Sequence, residues 1–162
     1  MIDKTDLQIL LALQEDGRMS NKEIAARVKL APSATSERLK KLNERGIIRN
    51  IEARLDSVAL GYGLVAFIHV RTDELPGTGD AGTELAKIPE ALEVYNVAGE
   101  DCYLVKVRTK DTESLSVILR DKIGAIESVT STRTTIVMQS FKETCAIPLT
   151  ECSVRTNRRQ SA

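Results

Sequence analysis

The chain has 162 residues, 42% hydrophobic and 28% charged, with no Trp, three Tyr and two Phe. It is long enough for one ordinary domain or two small ones. It has no run near the ~20 apolar residues of a membrane span and too few aromatics for the stacking platforms that grip single strands or RNA. Zero net charge hides a division: Arg18 to Arg54 holds ten Lys and Arg against four Asp and Glu, and Asp56 to Glu151 holds nine against fifteen. A basic first third suits a polyanion, although an uneven spread of solvated charge gives the same count.

The N-terminus, MIDKTDLQIL, is acidic and starts helical periodicity at once, which does not read as a signal peptide. Residues 3–16 are predicted as a helix, capped by Asp3 or Thr5, with Leu7, Ile9, Leu10 and Leu13 on its buried face. Ser20 and Glu23 form a capping box for a second helix, whose apolar face is Ile24, Ala25 and Val28. A break falls at Lys29-Leu30-Ala31. Pro32 suits the first position of a third helix, Thr35, Leu39 and Leu42 continue it inward, and Gly46 fits its C′ position. The expected core of this unit is Ile9, Leu10, Leu13, Ile24, Val28, Leu30, Leu39 and Leu42. Residues 47–55 alternate apolar and polar side chains and are predicted as a strand, a wing or an arm toward a partner.

Two glycines between Asp56 and Gly63 mark the expected domain boundary. The second part is predicted as strand 64–71, loop 73–82, helix 82–88, strands 92–98 and 103–109, helix 112–123 and strand 129–140. That order is βαββαβ, the ferredoxin-like arrangement. The expected fold class is α+β: a winged helix-turn-helix of three helices plus a strand over 1–61, a ferredoxin-like domain over 62–148, and a polar, disordered tail over 149–162. A four-stranded sheet with helices on one face buries its other apolar face against another copy.

Two short helices around a tight turn, the second basic on its exposed side, are the pattern of a DNA-reading helix-turn-helix. The residues alone leave a plain amphipathic bundle helix as the alternative. The candidate DNA-binding residues are Ser20, Asn21, Lys22, Pro32, Ser33, Ala34, Ser36, Glu37, Arg38, Lys40 and Lys41. Lys40 and Lys41 suit phosphates, while Ser33 and Ser36 lie near the helix end that meets base edges. Arg38 lies nearer the core, in a packing or phosphate role. Glu37 either accepts from a cytosine amino group or pairs with Lys40 or Lys41.

The candidate small-molecule site is Val97, Ala98, Gly99, Glu100, Asp101 and Cys102, with hydroxyls of Ser131, Thr132 and Thr134. Acids and turn carbonyls can accept from an ammonium; backbone N–H groups and hydroxyls can donate to a carboxylate. A tight turn with solvated acids is the plainer reading. Gly77, Gly79 and Gly82 spell GxGxxG, but Asp73, Glu74 and Asp80 would repel a pyrophosphate, so a linker is expected. His69, the single histidine, is expected to be structural. Cys102, Cys145 and Cys152 are an odd, widely spaced set that fits a reducing cytoplasm, without metal-ligand spacing. No nucleophile–base set is found, and no cofactor or metal is expected.

The runs IDKTDLQIL at 2–10, LQEDGRMS at 13–20 and RLKKLNERGII at 38–48 resemble the N-terminal domain of the Lrp/AsnC (leucine-responsive, feast/famine) transcriptional regulators. The Gly99 turn and the strand TRTTIVM at 132–138 are similar to that family's effector-sensing domain. The resemblance implies a DNA-binding regulator that responds to a small effector, most often an amino acid, bound between dimers. It implies dimers, tetramers or octamers, and no enzyme activity. Ala31 stands where the family usually has a capping Ser, Lys29 where its turn usually has Gly, and Cys102 where many members carry Asp. Two rival readings are an architectural DNA-binding protein without an effector and a tetrapyrrole decarboxylase of similar fold. One His and few arginines in the second part count against the decarboxylase.

Overall fold

The computed structural model describes residues 2–75 and 78–149. Gly77 of the glycine-rich motif, Cys152 and the tail from Thr150 onward lie outside the described residues. The chain divides into two compact units. Among the described residues, one comprises 2–54, to which 144–149 return; the other is Leu55–Glu143.

In the first unit, α1 is Lys4–Glu15, α2 is Asn21–Val28 and α3 is Pro32–Glu44. Reciprocal capping boxes start two of them. In α1 the Asp6 N–H donates to Asp3 and the Asp3 N–H to Asp6; in α2 Ser20 and Glu23 do the same. Ile9, Ile24, Val28 and Leu42 are buried at the centre, flanked by Leu10, Leu13, Leu30 and Leu39. Lys29 closes α2 in the left-handed region, at φ 56° and ψ 44°. The Leu30 N–H then reaches the Ala25 carbonyl at 3.0 Å. A side chain in this conformation costs about 1–2 kcal/mol, while glycine adds about 0.5–1 kcal/mol of unfolded-state freedom. Lys29→Gly is therefore expected to stabilise this unit by roughly 0.5–1 kcal/mol in urea denaturation. A lower midpoint would refute the strain. Ala31 precedes α3 without any side-chain cap.

Residues 47–55 form no strand. Gly46, at φ 66°, ends α3, and the N–H groups of Ile47 and Ile48 both turn back to the Leu42 carbonyl at 2.9 and 3.3 Å. Their donors serve the helix end, and the segment joins no strand ladder within its own chain. Ile51 and Leu55 stay exposed.

The second unit is a single antiparallel sheet of β1 (Leu64–Thr72), β2 (Ala91–Asn96), β3 (Tyr103–Thr109) and β4 (Val129–Ile136), in the order β2-β3-β1-β4. The helices are α4 (Asp80–Ala86) and α5 (Thr112–Val117), and a π-helical turn, Ile118–Ile123, continues α5. This is the expected βαββαβ order. Asp56–Gly63 precedes the sheet: Arg108 on β3 donates to Ser57 Oγ at 2.6 Å and to the Tyr62 carbonyl at 3.3 Å. Ile68, Val70, Val105 and Val107 pack with Leu85, Leu115, Ile118 and Ile123. The register puts these strand residues on the helix face and Phe67, His69, Arg71, Leu104, Lys106, Arg108, Ser131 and Arg133 on the other.

Several expected ends move for physical reasons. The last strand stops at Ile136, because its partner β1 begins at Leu64 and the Val137 N–H makes the final bond, to Val65. The strand expected to reach Ala98 stops at Asn96, where the Val97 N–H closes the turn onto Cys102 at 3.0 Å. Helix α4 starts at Asp80 instead of Gly82, because the Glu74 carboxylate accepts from the Ala81 N–H at 3.0 Å. Glu74 also accepts from the Tyr103 hydroxyl, and a Cβ on Gly82 would lie 2.7 Å from that ring.

Candidate nucleic-acid interface and effector site

On the first unit, Ser20, Lys22, Pro32, Ser33, Glu37, Lys40 and Lys41 are exposed, and Ala34, Ser36 and Arg38 are half-buried. Asn21, at the first position of α2, donates from Nδ2 to Ser36 Oγ at 3.0 Å. That bond holds the start of α2 against α3. Thr35 is fully buried, and its Oγ1 donates to the Ala31 carbonyl at 3.2 Å. The opposite face of α3 therefore points outward.

Glu37 pairs with Lys41 one turn on, at 2.6 Å. Lys40 faces Glu44 at 3.8 Å. These one-turn pairs are exposed and contribute little to stability, so phosphates can compete for both lysines. Arg38 faces inward. Its guanidinium donates to Asp3 Oδ2 at 2.6 Å and Asp6 Oδ1 at 2.7 Å, tying α3 to the first turn of α1. The Asp6 N–H, followed by Arg38, holds the Asp3 carboxyl below its usual range. A group with a lowered folded pKa gives its full stabilisation above its unfolded pKa and loses it as pH falls through the folded value. Thermal melts of this unit are expected to fall below about pH 4, and less steeply in Asp3→Asn. Identical acid limbs would remove this role from Asp3.

On the second unit, the β2–β3 turn carries the candidate effector residues. Gly99 sits at φ 142°, which favours glycine, with open space beside it. Ala98, Gly99 and Glu100 are exposed; Val97, Asp101 and Cys102 are half-buried. The Cys102 N–H donates to the Val70 carbonyl at 3.0 Å, and its thiol points to the Thr72 carbonyl at 3.7 Å, packing against the helix-side core. The three hydroxyl residues of β4 do not share a face. Thr132 and Thr134 pair with Val70 and Ile68 and point to the helix side, whereas Ser131 pairs with Arg71 on the open side.

Two residues outside the expected site do reach the turn. Asp101 accepts from Arg133 Nη2 at 2.9 Å, and its Oδ2 lies 3.2 Å from His69 Nδ1. The Arg133 hydrogen bond is the main reason the Asp101 carboxyl lies below its usual range. The register of β1 and β4 sets Arg133 opposite His69 on one face, and their common partner is a turn residue some thirty positions away in sequence.

Residues 2–49 match the winged helix-turn-helix DNA-binding family, and residues 65–147 match the Lrp/AsnC ligand binding domain. The chain belongs to the Lrp/AsnC family of transcriptional regulators. The HTH-type transcriptional regulator FL11 of Pyrococcus horikoshii is 40% identical to it over 148 residues, covering 91% of this chain and 97% of the relative. The leucine-responsive regulatory protein of Escherichia coli is 32% identical, covering 88% of each chain. A solved transcriptional regulator from Neisseria meningitidis, in complex with L-methionine, superposes with a TM-score of 0.85 at 34% identity, covering 91% of this chain and 97% of that one. A feast or famine regulatory protein of Mycobacterium tuberculosis, also complexed with L-methionine, gives 0.81 at 31%, covering 88% and 96%. Among the described residues of this Lrp/AsnC regulator, no helix is long and apolar enough to cross a membrane.

Proposed function

We propose that this Lrp/AsnC regulator acts in the cytoplasm, reads duplex DNA with α3, and changes its DNA binding when a free amino acid occupies the β2–β3 turn. The observation that carries this is one chain joining a helix-turn-helix unit, with Lys40 and Lys41 outward, to a ligand-binding-family sheet with an open glycine turn. The DNA face is Ser20, Asn21, Lys22 and the exposed side of α3 from Pro32 to Lys41. Copies assemble as dimers or larger symmetric oligomers through the sheet domain, so that paired reading heads meet half-sites about one helical turn apart. An effector that binds one assembly better than another shifts the population of DNA-competent forms. No catalytic step is assigned to it.

A thermal-shift screen of the twenty amino acids tests this, followed by DNA-binding titrations with each hit. At least one amino acid is expected to raise the melting temperature, by mass action on the folded state, and to alter DNA affinity. Twenty flat melts alongside intact DNA binding would favour the architectural reading. A coloured preparation that retains a tetrapyrrole would favour the decarboxylase.

A further inference from the structure

The turn between α2 and α3 carries a charge where the backbone disfavours any side chain. Lys29 is the one non-glycine residue at positive φ among the described residues. Its conformation is imposed from both sides. Val28 before it is buried, Leu30 after it packs against the helical core, and the N–H groups of Lys29 and Leu30 both turn back to close α2. The side chain is left exposed. Residues held in such regions persist where the surrounding structure over-determines them, and they gather at functional sites. Glycine would make this turn without strain. What lysine offers in exchange is a charge.

That charge is uncompensated. Between Glu23 and Glu37 the chain has no acidic residue. The other cation of this stretch, Arg27, is tied to Glu15 at 2.5 Å, while Arg38, Lys40 and Lys41 each face a carboxylate. Among the described residues no carboxylate lies within ion-pair distance of Lys29. Lys29 also stands three residues before Pro32, the first residue of α3. Three residues span at most about 10 Å. A helix with its side chains is about 10–12 Å across and the major groove is about 12 Å wide. A helix that meets base edges with its N-terminal residues therefore leaves the turn before it at the groove wall, where the phosphates are.

We propose that Lys29 binds a DNA backbone phosphate, and that this contact is what the strained turn serves. It adds to the DNA face proposed above and rests on α3 facing DNA. A lysine ammonium is a compact charge with three donors on a flexible stem, which suits a phosphate oxygen at a groove wall. Phosphate contacts position a protein without reading sequence, so Lys29 contributes alike on every duplex.

The test uses the full chain and a random-sequence duplex about four helical turns long, titrated across salt. Three variants separate charge from backbone. Lys29→Gly removes both the charge and the strain, Lys29→Gln removes the charge alone, and Lys29→Arg keeps both. Lys29→Gly and Lys29→Gln should each lose about ten- to thirtyfold in affinity for a pair of reading heads near physiological salt. Both should flatten the slope of log affinity against log salt by about two, one for each head. Lys29→Arg should restore the native slope. The melting temperature should rise in Lys29→Gly and stay at the native value in the other two, so the more stable chain binds more weakly. Native affinity and slope in Lys29→Gln would overturn the inference. So would a loss in Lys29→Arg equal to that in Lys29→Gln, because the shape of the turn and not its charge would then matter. If Lys40→Glu with Lys41→Glu leaves affinity intact, α3 does not face DNA and both readings fail. If that variant loses binding while Lys29→Gln keeps it, only the role of Lys29 fails.

Discussion

Lys40→Glu combined with Lys41→Glu is expected to abolish DNA binding while leaving the fold and the oligomer intact. Both side chains are exposed on α3, and each is held only by a one-turn carboxylate pair. Each phosphate neutralised releases about 0.9 of a counterion, so giving up four across a pair of heads costs on the order of 10²–10³ in affinity near physiological salt, before any repulsion. The slope of log affinity against log salt should flatten by about one for each phosphate no longer bound. Unchanged affinity at moderate salt would show that α3 does not face DNA. Removing the Glu37–Lys41 pair should cost the fold only about 0.3–0.5 kcal/mol, so the melting temperature separates a binding defect from an unfolded one.

Leu42→Ala is expected to have the largest effect on stability. Leu42 is 1% exposed and meets Ile9, Ile24 and Val28 in a core with few other members. Truncating such a residue costs about 2–5 kcal/mol, a large share of the roughly 5–15 kcal/mol that holds an ordinary domain together. The helical unit should lose its cooperative melt or show it at a much lower temperature. The sheet unit has its own core around Ile68 and Val105 and should melt as before. A loss under 1 kcal/mol in denaturant titration would contradict the packing.

Local signals in the sequence were sufficient wherever neighbours decide the structure. The Ser20–Glu23 capping box and the Gly46 stop depend on residues within one turn, whereas the left-handed turn at Lys29 and the missing cap at Ala31 stood out only by comparison with the family's usual residues. The βαββαβ order was equally legible, since strand alternation and helical spacing are short-range patterns. Distant partners decided the rest. Arg38 is claimed by Asp3 and Asp6, more than thirty residues earlier, and α4 begins where Glu74 can cap it. Alternation at 47–55 announces a strand, but the pairing that makes one has to come from outside the segment. In the candidate site, Gly99 and Asp101 were visible as turn residues. Arg133 was hidden among hydroxyl neighbours until the register separated odd from even positions on β4.

The stretch 47–55, left outside the sheet, bears on how much of the regulator a cell makes. In a solitary chain the Ile47 and Ile48 N–H groups turn back to Leu42 and that of Ile51 to the Asn50 side chain; if copies pair through this stretch, its remaining backbone groups exchange water for a second strand. That exchange follows mass action, so its free energy grows with the logarithm of abundance. The stretch also leads directly out of α3. If pairing through this stretch is what brings reading heads together, the fraction presented in pairs rises with the concentration of the regulator, and gene dosage becomes an input alongside the effector.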